Sequence, residues 1–166
     1  MGKQENFDLT SSSDAATAGI RHIGIGTCSS GKMRDYLKKK GFSDDAVKQA
    51  VEDLIKREYI DDGRAGRKVL LSRSGKKQES RAYLIRRLCI AGVRPSVADE
   101  LMENVEDDND LCFNLYLSAK PVVSDDDEAE SFREELLKLA SKRGFTGETA
   151  RTAYDRWLNE VLGRSI

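Results

Sequence analysis

Apolar residues recur at three- and four-residue steps on both sides of three glycines, Gly41, Gly92 and Gly144. Four positions before each glycine stands Leu37, Leu88 or Ala140, and eight before stands Met33, Leu84 or Leu136. One position after comes Phe42, Val93 or Phe145; ten after comes Val51, Met102 or Tyr154; thirteen after comes Leu54, Val105 or Trp157. Side chains three and four residues apart share one face of an α-helix, so each set predicts two amphipathic helices joined by a corner. The glycine belongs just past the first helix, where a left-handed residue closes the turn. A helical pattern repeating about every 51 residues predicts an array of small helical units that share a core along their stack.

The polar positions place the boundaries. Residues 1–28 are rich in Ser, Thr, Gly and Ala without a sustained period, which predicts a flexible N-terminal arm with a short ordered piece at 20–25. The first repeat is expected over 29–75, with helices at 32–40, 44–57 and 62–73. Ser43 is placed to cap the second and Asp61 or Asp62 the third, because short polar side chains accept the free amide protons of a first turn. The second repeat is expected over 76–120, where Pro95 stands at a first-turn position that tolerates its missing N–H. The third, over 121–166, follows Pro121 and the run Asp125-Asp126-Asp127-Glu128. It is expected to hold two helices, 129–143 and 148–162, with Thr146 capping the last. The fold class is therefore all-α, tandem three-helix repeats forming an elongated, curved array.

Composition narrows the class. At 166 residues, 39% hydrophobic and 34% charged, the chain can bury one modest core or a row of small ones. Apolar runs such as Val69-Leu70-Leu71 fall far short of the ~20 residues a membrane-spanning helix needs, and residues 1–8 carry no signal-peptide core. Cys28, Cys89 and Cys112 are odd in number, scattered and without metal-ligand spacing; they are expected to be reduced, partly buried thiols of a cytosolic protein. The acidic run 125–128 reads as a helix-opening linker, since adjacent carboxylates on one strand do not preset an octahedral magnesium site. No metal and no cofactor are expected. His22 falls in the irregular arm, and Gly24-Ile25-Gly26 with Gly31-Lys32 lacks the spacing of a phosphate-binding loop. No catalytic residue is predicted, and the chain is expected not to be an enzyme.

Charge changes the picture more than composition does. Between Arg64 and Arg94 stand ten Lys or Arg against one acid, Glu79, and between Asp99 and Asp110 stand seven acids and no base. A net charge of −1 thus conceals a basic middle and an acidic shoulder. Charge runs are commonly just solvated helix faces, and the acidic shoulder can compensate part of the excess. Clustered Arg and Lys on adjacent helices also make a stripe that faces phosphates or acids.

One segment carries a resemblance. Met33-Arg34, Leu37, Gly41-Phe42-Ser43, Val47, Val51 and Leu54 lead to Tyr59-Ile60-Asp61-Asp62-Gly63-Arg64, and a basic stretch then leads to Leu84-Ile85-Arg86-Arg87-Leu88 and Gly92-Val93. This arrangement, over about residues 28–160, resembles the RecX family of bacterial RecA regulators, with its Leu-x-x-x-Gly-Phe corner, its Tyr-Ile-Asp-Asp-x-Arg-Phe-Ala junction and its second basic helix. Where the family carries Phe-Ala this chain has Ala65-Gly66, which removes an aromatic anchor and puts a glycine early in a helix. The resemblance implies a non-enzymatic cytoplasmic protein, a monomer without membrane contact, lying in the groove of RecA–single-stranded-DNA filaments. It implies inhibition or modulation of recombinase, ATPase and co-protease activity in DNA repair, recombination and the SOS response. The residues expected to touch the RecA filament or its DNA are Arg64, Arg67, Lys68 and Arg73 on one helix and Lys76, Lys77, Arg81, Arg86 and Arg87 beyond it. Gly41, Phe42, Leu88 and Gly92 are expected to build the corners, Tyr59 and Ile60 to pack a junction, and Asp61 and Asp62 to cap a helix.

Two other readings stay open. A helix-turn-helix factor would use 44–57 for recognition, although Asp44, Asp45, Glu52 and Asp53 suit a negatively charged groove poorly. A helical-repeat adaptor would dock protein partners without DNA.

Overall fold

The computed structural model describes residues 6–164. Three ten-residue helices recur at the predicted spacing: α2 Ser30–Lys39, α5 Arg81–Ile90 and α9 Arg133–Lys142. Each ends at its glycine corner, and Gly41, Gly92 and Gly144 adopt φ of 94°, 78° and 87°. The next residue folds back, so that Phe42, Val93 and Phe145 donate N–H to the carbonyls of Leu37, Leu88 and Ala140 at 3.3, 3.1 and 3.1 Å. This six-to-one bond satisfies a carbonyl that the helix end would leave free, and a side chain larger than glycine would meet a steric penalty at that φ. The three residues that follow the glycines are all buried.

The second helices, α3 Asp44–Lys56, α6 Pro95–Glu103 and α10 Gly147–Val161, begin where the pattern predicts. Ser43 accepts from the Ala46 amide and Thr146 from the Thr149 amide, and Pro95 opens its helix. The third helices are α4 Asp62–Leu71 and α7 Asp108–Ala119. A single 3₁₀ turn, Gly75–Lys77, lies between α4 and α5. The predicted helix over 129–143 is two helices, α8 Asp126–Ser131 and α9, with Phe132 between them. Among the described residues there is no β-strand, only an isolated bridge between Cys28 and Ile60. No helix among them is long and apolar enough to cross a membrane.

The N-terminal expectation needs correction. Residues 12–23 form a helix, α1 Ser12–Ile23, capped by Ser11 and packed on α3. Its buried face is Ala15, Ala16, Ala18 and Gly19, residues too small to give an amphipathic signal yet suited to close helix approach. His22 belongs to its last turn and stacks on Tyr36 with ring centroids 3.7 Å apart. Residues 1–5 of the expected arm and residues 165–166 lie outside the described residues.

The chain forms two compact units. Among the described residues, the first runs up to Lys68 and takes in 88–101, and the second comprises 69–87 and the residues from Met102 onward. In the first, Met33, Leu37, Val47, Ala50, Leu54 and Ile60 make the core with the alanines of α1. There, too, Gly66 explains itself. A Cβ at Gly66 would run into Leu101 Cδ1 and come within 3.3 Å of Leu88 Cδ2, so glycine lets α4 approach α5 and α6 closely. In the second unit Leu115, Tyr116, Leu136 and Trp157 are fully buried. The polar tips there find backbone partners: Trp157 Nε1 donates to the Lys120 carbonyl at 2.9 Å and the Tyr154 hydroxyl to the Ala129 carbonyl at 3.1 Å. Such bonds offset the cost of burying an aromatic N–H or O–H.

Candidate functional site

The basic segment is organised around two buried carboxylates. In the first unit, Asp62 opens α4 and is 1% exposed. Its Oδ1 accepts the Ser30 amide at 2.7 Å, and its Oδ2 accepts the Ser30 hydroxyl at 2.7 Å, the Arg94 amide at 3.0 Å and Arg94 Nε at 2.8 Å. Burial pushes this carboxyl up, but the bonds from Ser30 and Arg94 together outweigh it and hold it below the usual carboxylate range. Asp62 is therefore a lock between the start of α2, α4 and the start of α6, not the helix cap the sequence suggested. The cap is its neighbour: exposed Asp61 accepts the Arg64 amide at 2.8 Å. The same division of labour recurs in the second unit, where Asp107 accepts the Asp110 amide at 3.0 Å and Asp108 accepts the Arg81 amide at 2.7 Å. An aspartate doublet thus opens both third helices, the outer member capping and the inner one reaching the preceding part of its own unit.

In the second unit, Glu79 is 3% exposed. Arg87 grips it with Nε at 3.0 Å from Oε2 and Nη2 at 2.8 Å from Oε1, and Arg73 Nη1 stands 4.0 Å from Oε1. The bond from Arg87 depresses the Glu79 carboxyl against the opposing effect of burial, and the charges of Arg87, Arg73 and Arg143 act in the same direction. Arg143 also donates Nη2 to the Lys76 carbonyl at 3.0 Å, while its backbone carbonyl accepts the Ser80 amide at 3.1 Å.

The nine predicted contact residues divide accordingly. Arg64, Arg67 and Lys68 are exposed on α4 in the first unit, at the three- and four-residue spacing of one helical face. Lys76, Lys77 and Arg86 are exposed in the second. Arg81 is turned inward: its guanidinium donates to the carbonyls of Met102 at 3.0 Å, Glu106 at 3.1 Å and Val105, binding the end of α6. Arg87 and Arg73 converge on Glu79. Two arginines that sequence reasoning passed over, Arg94 and Arg143, are drawn in by these carboxylates. Their partners stand 32 residues away for Arg94–Asp62 and 67 for Arg143–Lys76, which no local pattern could connect.

The structural motif residues are placed unevenly. Phe42, Ile60 and Leu88 are buried. Tyr59 is not the packed junction residue the sequence suggested, because it is 39% exposed with the Arg57 guanidinium 5.1 Å above its ring. The three cysteines are free, with Cys112 buried, Cys28 half-buried and Cys89 exposed; the last departs from the expected partial burial. Burial pushes the Cys112 thiol up to about 11. In the acidic run, Asp125 accepts the Glu128 amide at 2.9 Å, Asp126 pairs with Arg164 at 2.5 Å, and Glu128 accepts the Ser124 amide at 2.7 Å. These carboxylates are engaged in opening α8, and among the described residues no group of three His, Cys, Asp or Glu is arranged to hold a metal ion.

No protein-family model matches the chain. Individual relatives do. The chain is 30% identical over 144 residues to the regulatory protein RecX of Prosthecochloris aestuarii, covering 87% of this chain and 93% of that protein. It is 27% identical over 140 residues to the regulatory protein RecX of Pelodictyon phaeoclathratiforme, covering 84% and 86%. The crystal structure of RecX from Lactobacillus salivarius superposes with a TM-score of 0.60 at 12% identity, over 88% of this chain and 96% of that one, so the two share a fold. With identity and coverage of this extent, the chain belongs to the RecX family of regulatory proteins.

Proposed function

We propose that this chain regulates RecA by docking in the groove of the RecA–single-stranded-DNA filament. In this reading it acts in the bacterial cytoplasm as a monomer without catalytic activity or cofactor, and it restrains recombinase, ATPase and co-protease activity in DNA repair, recombination and the SOS response. The observation that carries the reading is family membership combined with six outward cations, Arg64, Arg67, Lys68, Lys76, Lys77 and Arg86, none of which has an ion-pair partner among the described residues. A nucleoprotein filament is strongly anionic, and cations not neutralised internally are the ones available to it. Arg73, Arg81 and Arg87 are not counted among the six, since each is turned to a partner within the second unit.

The test is ATP hydrolysis by preformed RecA–single-stranded-DNA filaments from the same organism, titrated with this protein. A dose-dependent fall is expected, relieved by Lys76→Glu, Lys77→Glu and Arg86→Glu together in a variant that melts like the parent. An unchanged rate, with no co-sedimentation with the filament, would sink this reading and leave a protein-docking adaptor in its place.

A further inference from the structure

Glu79 is outnumbered. One buried carboxylate gathers Arg87 by two hydrogen bonds and Arg73 at 4.0 Å, and Arg143 is tied to the same segment by its bonds with the Lys76 carbonyl and the Ser80 amide, its charge acting on the carboxylate too. Three guanidiniums around one carboxylate leave two positive charges unbalanced, with Lys76 and Lys77 exposed beside them in the sequence. The arrangement stays open to solvent, as the side chains of Arg73 and Arg87 are 31% and 40% exposed. Donors remain unspent. Arg87 uses Nε and Nη2 on Glu79, Arg143 uses Nη2 on the Lys76 carbonyl, and Arg73 makes no hydrogen bond to the carboxylate. Arg143 Nε is, among the described residues, the buried side-chain nitrogen or oxygen left without an acceptor. A cluster of like charges held together in this way is costly unless a further anion completes it.

We infer that the second unit carries a phosphate-binding site formed by Arg73, Arg87 and Arg143, with buried Glu79 as the positioning residue that gathers them. A planar carboxylate already occupies the inner side of the cluster. The unspent donors of three guanidinium forks suit a tetrahedral oxyanion, which offers acceptors in three directions where a second carboxylate offers a plane. The phosphate can come from the backbone of a nucleic-acid strand or from a free phosphate or nucleotide. The site stands apart from the filament reading, since it concerns the isolated chain and includes an arginine outside the basic segment.

The experiment follows the arginine Nε–Hε resonances of the full chain in two-dimensional NMR. Inorganic phosphate and a short oligo-dT strand are titrated separately, each against chloride at matched ionic strength. Saturating shifts at Arg73 and Arg143 with phosphate or oligo-dT, absent with chloride, are expected. Saturation by both assigns the site to the phosphate group itself, and saturation by oligo-dT alone assigns it to a phosphodiester strand. Arg73→Gln is expected to weaken binding about tenfold, the worth of a charge-assisted hydrogen bond, with an unchanged circular-dichroism melt. Should Arg73→Gln unfold the chain, Arg143→Lys replaces it, keeping the charge but removing the fork, with the same expected loss. Shifts that track ionic strength, or a folded variant of either kind that binds as tightly as the parent, overturn the site. Because no RecA is present, either result leaves the filament titration to be decided by its own outcome.

Discussion

Asp62 in the first unit and Glu79 in the second are almost equally buried, at 1% and 3% exposure, yet they are used in opposite ways. Asp62 accepts two backbone amides, a hydroxyl and one arginine; its charge is matched by one cation and its lone pairs are filled. The Glu79 carboxylate takes both its hydrogen bonds from Arg87, with Arg73 at 4.0 Å and the charge of Arg143 acting on it as well. The difference separates a carboxylate that locks backbone segments from one that assembles side chains. A saturated carboxylate serves the fold alone. An outnumbered one leaves charge to spare, and spare charge beside solvent is what a ligand or partner can use.

The strongest way to break this comparison is Asp62→Ala. Removing the acceptor strands the amides of Ser30 and Arg94, and a buried donor left without a partner is expensive, so a loss of about 3 kcal/mol is expected. Thermal unfolding followed by circular dichroism measures it, and hydrogen exchange should show the loss concentrated where α2, α4 and α6 begin. A variant within error of the parent would mean that the lock is ornamental.

Glu79→Gln sharpens the contrast with a smaller effect. Glutamine keeps an acceptor for Arg87 but withdraws the charge that holds the arginines together, so a loss of about 1–2 kcal/mol is expected. The two variants should also answer differently to salt. Added sodium chloride screens the arginine repulsion left by Glu79→Gln and should restore part of its stability, while doing little for the missing acceptor in Asp62→Ala. Equal salt responses would show that the excess charge around Glu79 is not felt.

Acid provides a third probe. Both carboxyls are held below their ordinary values, which are 3.8 for Asp62 and 4.5 for Glu79. Unfolded carboxylates therefore take up protons at higher pH than folded ones do, so acid favours unfolding. The stabilisation is complete above these ordinary values and drains away as pH falls from them towards the depressed folded values. The parent should lose melting temperature across that limb, and Glu79→Gln should lose less there than the parent.

What was legible in the sequence is what the chain decides locally. The corners at Gly41, Gly92 and Gly144, the caps Ser43 and Thr146, and Pro95 at a helix start each depend on residues within one turn, and all appear where the pattern put them. α1 was hidden because alanine and glycine pack closely without the hydrophobic contrast that marks a helix face. The basic segment was legible as charge but not as commitment. Arg86 and Arg87 are neighbours, yet one faces solvent and the other grips a carboxylate eight residues away. Nor could Asp61 and Asp62 be told apart, since the burial of one depends on Ser30 and Arg94, each 32 residues distant.

That pair supplies the smallest and most direct test. Asp61 and Asp62 are adjacent and chemically identical, so substituting each in turn isolates position from chemistry. Asp61→Ala removes one acceptor from an exposed first turn, where water can replace it, and should cost about 1 kcal/mol, well below Asp62→Ala. Asp61→Ser keeps a side-chain oxygen in reach of the Arg64 amide and should recover most of that loss. Asp107→Ala, at the matching position of the other doublet, should cost about the same, because it too removes a single contact to an amide three residues on. Melting temperatures of the three variants decide the matter. If Asp61→Ala proved as damaging as Asp62→Ala, burial would not be what distinguishes cap from lock, and the contrast between saturated and outnumbered carboxylates would lose its footing.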